Sequence, residues 1–309
     1  MTAVIDSLGP AGPSGPGAPA EGGDVSRVAS GWQLGLREFL RNRLAVAGVF
    51  ILVFFVIFCY LGPLVYHANL VTVNLDVVND PPGTGAPLGT YSDGFDVLGS
   101  LMAGGQISLE IGLLSALIAG ALGTLWGAVA GLVGGWVDSL MMRVVDVMLA
   151  MPFLLVVLIV GHRYGATVLN LSVILGVFSW LGPARLVRGE VLTLRVRDYV
   201  SAARVMGGGR AHLIYRHLLP NAMGTVIVNI TFVIADSILA LAALGYLGFG
   251  VKYPNTDWGD QISDGANYLN DGYWWEVFPV AVCLVLLIMS FNMIGDGLRD
   301  AVDVRLRKR

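Results

Sequence analysis

Six apolar runs, each long enough to cross a bilayer, limit this chain more than any other feature. They are Leu44 to Val65, Ile107 to Val133, Ser139 to Val160, Thr167 to Ala184, Pro220 to Gly250 and Trp275 to Gly295. The hydrocarbon core of a membrane takes about 20 helical residues. With 55% hydrophobic and 13% charged residues, the composition is not that of an ordinary soluble domain. The expected fold is all-α and membrane-embedded, with six transmembrane helices.

The segments around the runs divide the chain. Residues 1–30 are rich in Gly and Pro, as in Gly9-Pro10-Ala11-Gly12-Pro13, and read as a disordered cytoplasmic tail. They lack the basic start and apolar run of a signal peptide. Residues 31–43 form an amphipathic lead-in, with Trp32, Leu36, Phe39 and Leu40 against Arg37, Arg41 and Arg43. Residues 44–300 hold the six spans, and 301–309 are a basic cytoplasmic tail. Two loops are acidic: 66–106, with Asp76, Asp80, Asp93 and Asp96, and 251–274, with Asp257, Asp260, Asp264 and Asp271. Cys59 and Cys283 both fall in apolar spans and read as small core residues.

Charge fixes the expected orientation, because Lys and Arg favour the cytoplasmic side. Both termini and the loop at 185–219 are placed inside. All of the 19 Lys and Arg except Arg163 and Lys252 then lie on or near that side, and the acidic loops lie outside. Trp136 suits the inner interface, and Trp274 and Trp275 suit an outer belt.

The 185–219 loop contains a second pattern. Between Tyr199 and Asn221 its charge is entirely basic, from Arg204, Arg210 and Arg216, with His212 and His217 beside them. Tyr199 to Met206 reads as a short helix that Gly207, Gly208 and Gly209 break. Ala211 to Leu219 reads as a second short helix, and Pro220 opens the next span, where a missing N–H costs little. A helix-break-helix element on a membrane surface suits docking against a soluble partner.

The spacing Ser201-Ala202-Ala203, three residues, Gly207, nine residues, His217, Leu218, Leu219-Pro220 resembles the cytoplasmic coupling loop of ABC importer permeases. That family usually has Glu where Ser201 stands. The ending Arg216-His217-Leu218-Leu219-Pro220-Asn221 is similar to the dipeptide, oligopeptide and nickel branch. Leu88-Gly89-Thr90 with Asp96-Val97-Leu98 resembles its outer segment, although Tyr91 and Phe95 replace the usual Asp and Arg. Gly134-Gly135-Trp136-Val137-Asp138, Leu247-Gly248-Phe249-Gly250, Trp258-Gly259 and Asn292 to Asp300 resemble further family segments.

The resemblance implies a C-type permease subunit with a type I importer bundle and cytoplasmic coupling helices, in the cell membrane. It implies three kinds of partner: a homologous second permease forming a heterodimer, two ATP-binding cassette domains and an extracytoplasmic solute-binding protein. Ser201, Ala202, Ala203, Arg204, Gly207, Gly208, Arg210, His217 and Pro220 are the expected ATPase-docking residues. ATP and Mg would be used by the ATPase partners, with no cofactor or metal on this chain and no nucleic-acid partner. Di- and oligopeptides are the expected solutes, with nickel complexes as the alternative within the same architecture.

The chain lacks the means to hydrolyse ATP. A phosphate-binding loop needs Gly-x-x-x-x-Gly-Lys-Ser/Thr, and the only lysines are Lys252 and Lys308. His212 and His217 are five apart and do not share a zincin-type i, i+4 face. Thr225, Asn229 and Asp236 recur on one face of the fifth span. Two readings of them stand: a hydrophilic strip on the translocation path, or interhelical hydrogen bonding. Asp146 is expected to pair with Arg143, and Arg299 with Asp303. Gly127-x-x-x-Gly131 reads as close helix packing. The rival functions are an ion-coupled secondary transporter using Asp236 and a non-transporting membrane scaffold. The first leaves the coupling-loop spacing unexplained.

Overall fold

The computed structural model describes residues 31–307 apart from 69, 71, 84 and 208, and their side chains apart from 31–34, 204, 210, 211 and 303–307. The expected 1–30 tail and the Arg299–Asp303 pair therefore lie wholly or partly outside the described residues. Among the described residues there is no strand, only an isolated bridge between Thr90 and Asp96.

The helices are α1 (Gly31–Arg41), α2 (Arg43–Val65), α3 (Val97–Val133), α4 (Gly135–Leu149), α5 (Phe153–Tyr164) and α6 (Val168–Ser179). They continue as α7 (Leu181–Leu194), α8 (Asp198–Val205), α9 (Arg210–Leu213), α10 (Leu219–Tyr246), α11 (Trp258–Ala266) and α12 (Phe278–Arg307). Four continuous helical stretches are long and apolar enough to cross a membrane. Two bent pairs, α4 with α5 and α6 with α7, bring the number to six if each pair is one span.

Two of the six expected spans are bent. The expected third span, Ser139 to Val160, is two helices meeting at 83° across Ala150, Met151 and Pro152. Proline has no N–H to donate and pushes the residue before it out of the α region. The expected fourth span, Thr167 to Ala184, bends by 43° at Trp180, and Pro183 sits in the first turn of α7, where its missing N–H is tolerated. The second span starts earlier than Ile107, at Val97, because an Asp96 oxygen accepts the Gly99 N–H at 2.7 Å and caps the helix there.

The central helix is α3. Its glycines let neighbours come to backbone distance: a Cβ on Gly127 would lie 2.4 Å from the Ala184 carbonyl, and one on Gly131 2.9 Å from Val191. The expected close packing at this pair is made by α7. Asn42 joins the lead-in to the bundle. Its Oδ1 accepts the Leu44 and Ala45 N–H groups, and its Nδ2 donates to Asp300 of α12 at 3.1 Å. Much of α2 is bare, with Phe50, Phe54, Leu61 and Leu64 exposed, as a lipid-facing helix requires.

A cap of two loops, 66–96 and 251–276, closes one end of the bundle. Asp257 is fully buried. It accepts from the Val251, Gly259 and Asp260 N–H groups at 2.9, 2.8 and 3.1 Å, which starts α11. Trp258 Nε1 donates to the Leu101 carbonyl and Gln261 Nε2 to that of Ser100, so α11 lies across the end of α3. Trp275 differs from the expected belt residue. It is buried against Tyr91 and Val97, and its Nε1 donates to the Thr90 carbonyl at 3.4 Å. Trp274 and Trp136 are exposed.

Candidate functional site: the inner loop and the arc of α10

The inner loop begins as an extension of α7. Two arginines on this helix and Arg195 at its C-terminal cap fasten it. Arg188 makes a two-point ion pair with Asp138 of α4, Nε to Oδ1 at 2.5 Å and Nη2 to Oδ2 at 2.7 Å. Arg185 pairs with Asp146, and Arg195 Nη1 donates to the Gly131 carbonyl at 2.9 Å. Asp146 therefore pairs across two helices rather than with Arg143, as expected from sequence. The 43° bend carries α7 alongside α4 and brings Arg185 within reach.

The short helix expected at 199–206 is α8, and its two faces differ. Val200 and Ala203 are buried in a cluster with Val187, Val191, Leu194, Leu213 and Leu218. Ser201 and Ala202 are exposed, and so are Val205 and Met206, at 88% and 81%. Of the expected docking residues, then, Ala203 turns into the bundle and Ser201 and Ala202 turn outward. Gly207 has φ +90° and is exposed, with nothing among the described residues within 4 Å of where a Cβ would stand. Only glycine enters that backbone region without strain. Gly208 and the side chains of Arg204 and Arg210 lie outside the description.

The expected second short helix is not separate from the fifth span. Arg210 to Leu213 passes through a π turn, Ile214–Leu218, into α10, and the Leu219 N–H donates to the Ile214 carbonyl five residues back. The wide turn accommodates Pro220 in the first turn of α10, and Asn221 Nδ2 donates to the His217 carbonyl at 2.6 Å. It also brings residues five apart together. The His212 and His217 rings pack edge to face at 5.5 Å, and Tyr199 stands 6.3 Å from His217. No group of three His, Cys, Asp or Glu among the described residues is placed to hold a metal ion.

Sequence reasoning missed Val205, Met206 and Tyr215, which like Tyr199 are exposed apolar side chains in this loop. The signal was available on the helical wheel of α8, where Ala202 and Val205 fall opposite Val200 and Ala203.

On α10 the strip holds together. Ile230, Ile234 and Ile238 face Gly120 and Gly112 of α3. Thr225, Asn229 and Asp236 lie on the opposite arc. Thr225 and Asn229 are half-buried and Asp236 is exposed, and the Asn229 Oδ1 is buried without a hydrogen-bond partner. The structure thus gives the strip a common direction away from α3.

Residues 123–308 match the family described as "Binding-protein-dependent transport system inner membrane component". Residues 30–82 match the "N-terminal TM domain of oligopeptide transport permease C". The dipeptide transport system permease protein DppC of Bacillus subtilis (strain 168) is 38% identical over 272 residues, 88% of this chain and 85% of that protein. The oligopeptide transport system permease protein OppC of the same organism is 34% identical, covering 94% and 96%. The OppC of Escherichia coli (strain K12) is 37% identical, covering 89% and 92%.

Proposed function

The chain belongs to the binding-protein-dependent transport system inner membrane component family, and on that premise we propose that it is a permease subunit of an ATP-driven importer of di- and oligopeptides. The observation that carries this is identity of 34–38% along nearly the whole chain to proteins named as dipeptide and oligopeptide permeases. As a six-span chain it supplies half a pathway. A homologous second permease supplies the other half, two ATP-binding cassette domains supply the energy and an extracytoplasmic binding protein delivers the peptide. Both termini and the inner loop face the cytoplasm, and the 66–96 and 251–276 cap faces outward, in line with the placement of Lys and Arg.

In this reading the chain does no bond chemistry. ATP and Mg act in the partner domains, whose closure moves the inner loop. Ser201, Ala202, Gly207 and the exposed apolar side chains of the loop make the contact, and His217 and Pro220 shape the turn behind it. Arg185, Arg188 and Arg195 pass the movement to α4 and α3, rocking the bundle between inward- and outward-facing states. Thr225, Asn229 and Asp236 line the path, where hydrogen-bonding side chains replace the water that a peptide loses.

The test is purification of the chain from its own membranes. It should bring down a second permease and an ATPase, and the reconstituted complex should hydrolyse ATP faster when peptide-loaded binding protein is added. Cysteines replacing Asp80 and Asp264 should react with an impermeant thiol reagent from outside, and one replacing Arg210 should not. Uptake that survives without an ATPase and collapses with the proton gradient sinks the proposal in favour of an ion-coupled transporter.

A further inference from the structure

The two bends border one cavity, of about 70 Å³. Met148, Met151, Phe153 and Val156 line it from the two sides of the α4–α5 break. Phe178 and Leu181 line it from the two sides of the bend at Trp180. Each of these side chains is apolar.

The cavity lies near the middle of the membrane. Trp126 Nε1 of α3 donates to the Met141 carbonyl of α4 at 3.3 Å, and Val157 of α5 clusters with Ile107 and Ile111 of α3. The break at 150–152 is therefore level with the stretch of α3 between Ile111 and Trp126. α3 runs antiparallel to α2: Gln106 Nε2 donates to the Cys59 carbonyl at 2.5 Å, and Met102 lies against Gly62. The break is thus level with the central turns of α2, the span with the bare phenylalanines and leucines.

Lipid cannot cover this place. α5 starts after Pro152 with no side-chain cap, so the N–H groups of its first turn, at Phe153, Leu154 and Leu155, have no partner within the helix. All residues from Leu149 to Leu155 are exposed. Irregular backbone at membrane depth is tolerated only where protein buries it or where it lines a water-filled cavity. The described part of the chain does not bury it, which leaves the second permease or the peptide path. Two features favour the path. Helices broken near the midplane are where transporters place a substrate. In addition α10, which carries Thr225, Asn229 and Asp236, touches α5, α6 and α7, the helices around the cavity.

We propose, on the peptide-importer reading above, that this cavity is a subsite of the path that holds one aliphatic side chain of the cargo. A water molecule takes ~30 Å³, and a methyl group is about as large. The cavity therefore has room for the branched end of a valine or leucine. An apolar cavity of ~150 Å³ holds benzene, so this one excludes a phenyl ring. Rocking of the bundle alters the bends that border the subsite and so releases the side chain.

The experiment uses the assembled complex in proteoliposomes, with the binding protein of the same system loaded with a labelled peptide. One probe is a tripeptide carrying a diazirine analogue of leucine; the other carries a phenyl diazirine. Both are irradiated during turnover, and label is counted per peptide transported, which cancels the preference of the binding protein. The leucine probe should mark residues 148–156 and 178–181. The phenyl probe should mark them about tenfold less. Val156→Phe, which fills the cavity, should cut the leucine label about tenfold, and Phe178→Ala, which enlarges it, should raise the phenyl label about tenfold. Transport of the leucine probe without label in these residues, or equal labelling by both probes in the unmodified complex, overturns the subsite alone. So does a photo-crosslinking residue in place of Met151 that joins the second permease equally with and without peptide, because that marks a static interface. A complex that moves neither peptide overturns the importer reading and the subsite together.

Discussion

The inner loop and the outer cap are both polar connections between spans, and they handle charge in opposite ways. On the inner side, arginines 185, 188 and 195 are engaged inside the bundle. Among the described side chains of the loop, Ala202, Val205, Met206 and Tyr215 are small or apolar and exposed. In the cap the engaged groups are hydrogen-bonding side chains on backbone, such as Asp257, Trp258 and Gln261. Its acids Asp260, Asp264 and Glu276 make no ion pair among the described residues. A small or apolar surface recognises by shape, and a charged one by field. If both regions dock partners, the inner loop is expected to do so by fit and the cap by field.

The largest effect that follows is at Gly207. Gly207→Asp puts a side chain where φ is +90°, a local cost of about 1–2 kcal/mol. Nothing among the described residues stands within 4 Å of the new Cβ, so the fold and membrane insertion should survive. A docked partner would have to bury an unpaired carboxylate against an apolar surface. Uptake should be abolished, with ATPase subunits lost on purification or hydrolysing without regard to binding protein. Normal coupling in this variant removes the inner loop as the docking element.

Arg188→Ala should come next, and it tests whether pairing of the inner arginines holds the loop in place. The substitution strands the nearly buried Asp138 carboxylate. A charge-assisted hydrogen-bonded partner is worth about 1.5–3 kcal/mol, so the complex should unfold several degrees earlier and its coupling should weaken without vanishing. Adding Asp138→Asn should restore part of the loss, as a double-mutant cycle on heat stability would show. Equal losses in the single and double variants would mean that Arg188 acts through packing alone.

The same contrast explains what could be read from the sequence. Spans are legible because hydropathy is a property of each run by itself. The Gly207 break is legible because it depends on neighbours three or four residues away. The bends were missed because a window long enough to find a span averages over Pro152 and Trp180, although Pro152 was in plain view. The Arg185–Asp146 pair joins residues far apart in sequence, so no i, i+4 rule reaches it. His212 and His217 meet through a π turn, which a count of 3.6 residues per turn cannot anticipate. The strip on α10 was recognisable as one arc, whereas which arc α3 would cover depends on where its glycines fall.

Arg216→Ala is the smallest expected effect and the most direct way to break the comparison. Arg216 is exposed on the π turn and, unlike the arginines of α7, makes no ion pair among the described residues. If the inner loop docks by fit, this charge is peripheral, and an exposed ion pair to a partner is worth at most about 1 kcal/mol. ATPase copurification should then be complete, and peptide uptake should stay within about fivefold of the unmodified complex at physiological salt, with the deficit shrinking as salt screens the interaction. The measurement is uptake at two salt concentrations, beside Gly207→Asp in the same membranes. If Arg216→Ala releases the ATPase as fully as Gly207→Asp does, the inner loop also recognises by field, and the two ends of the molecule do not differ in kind.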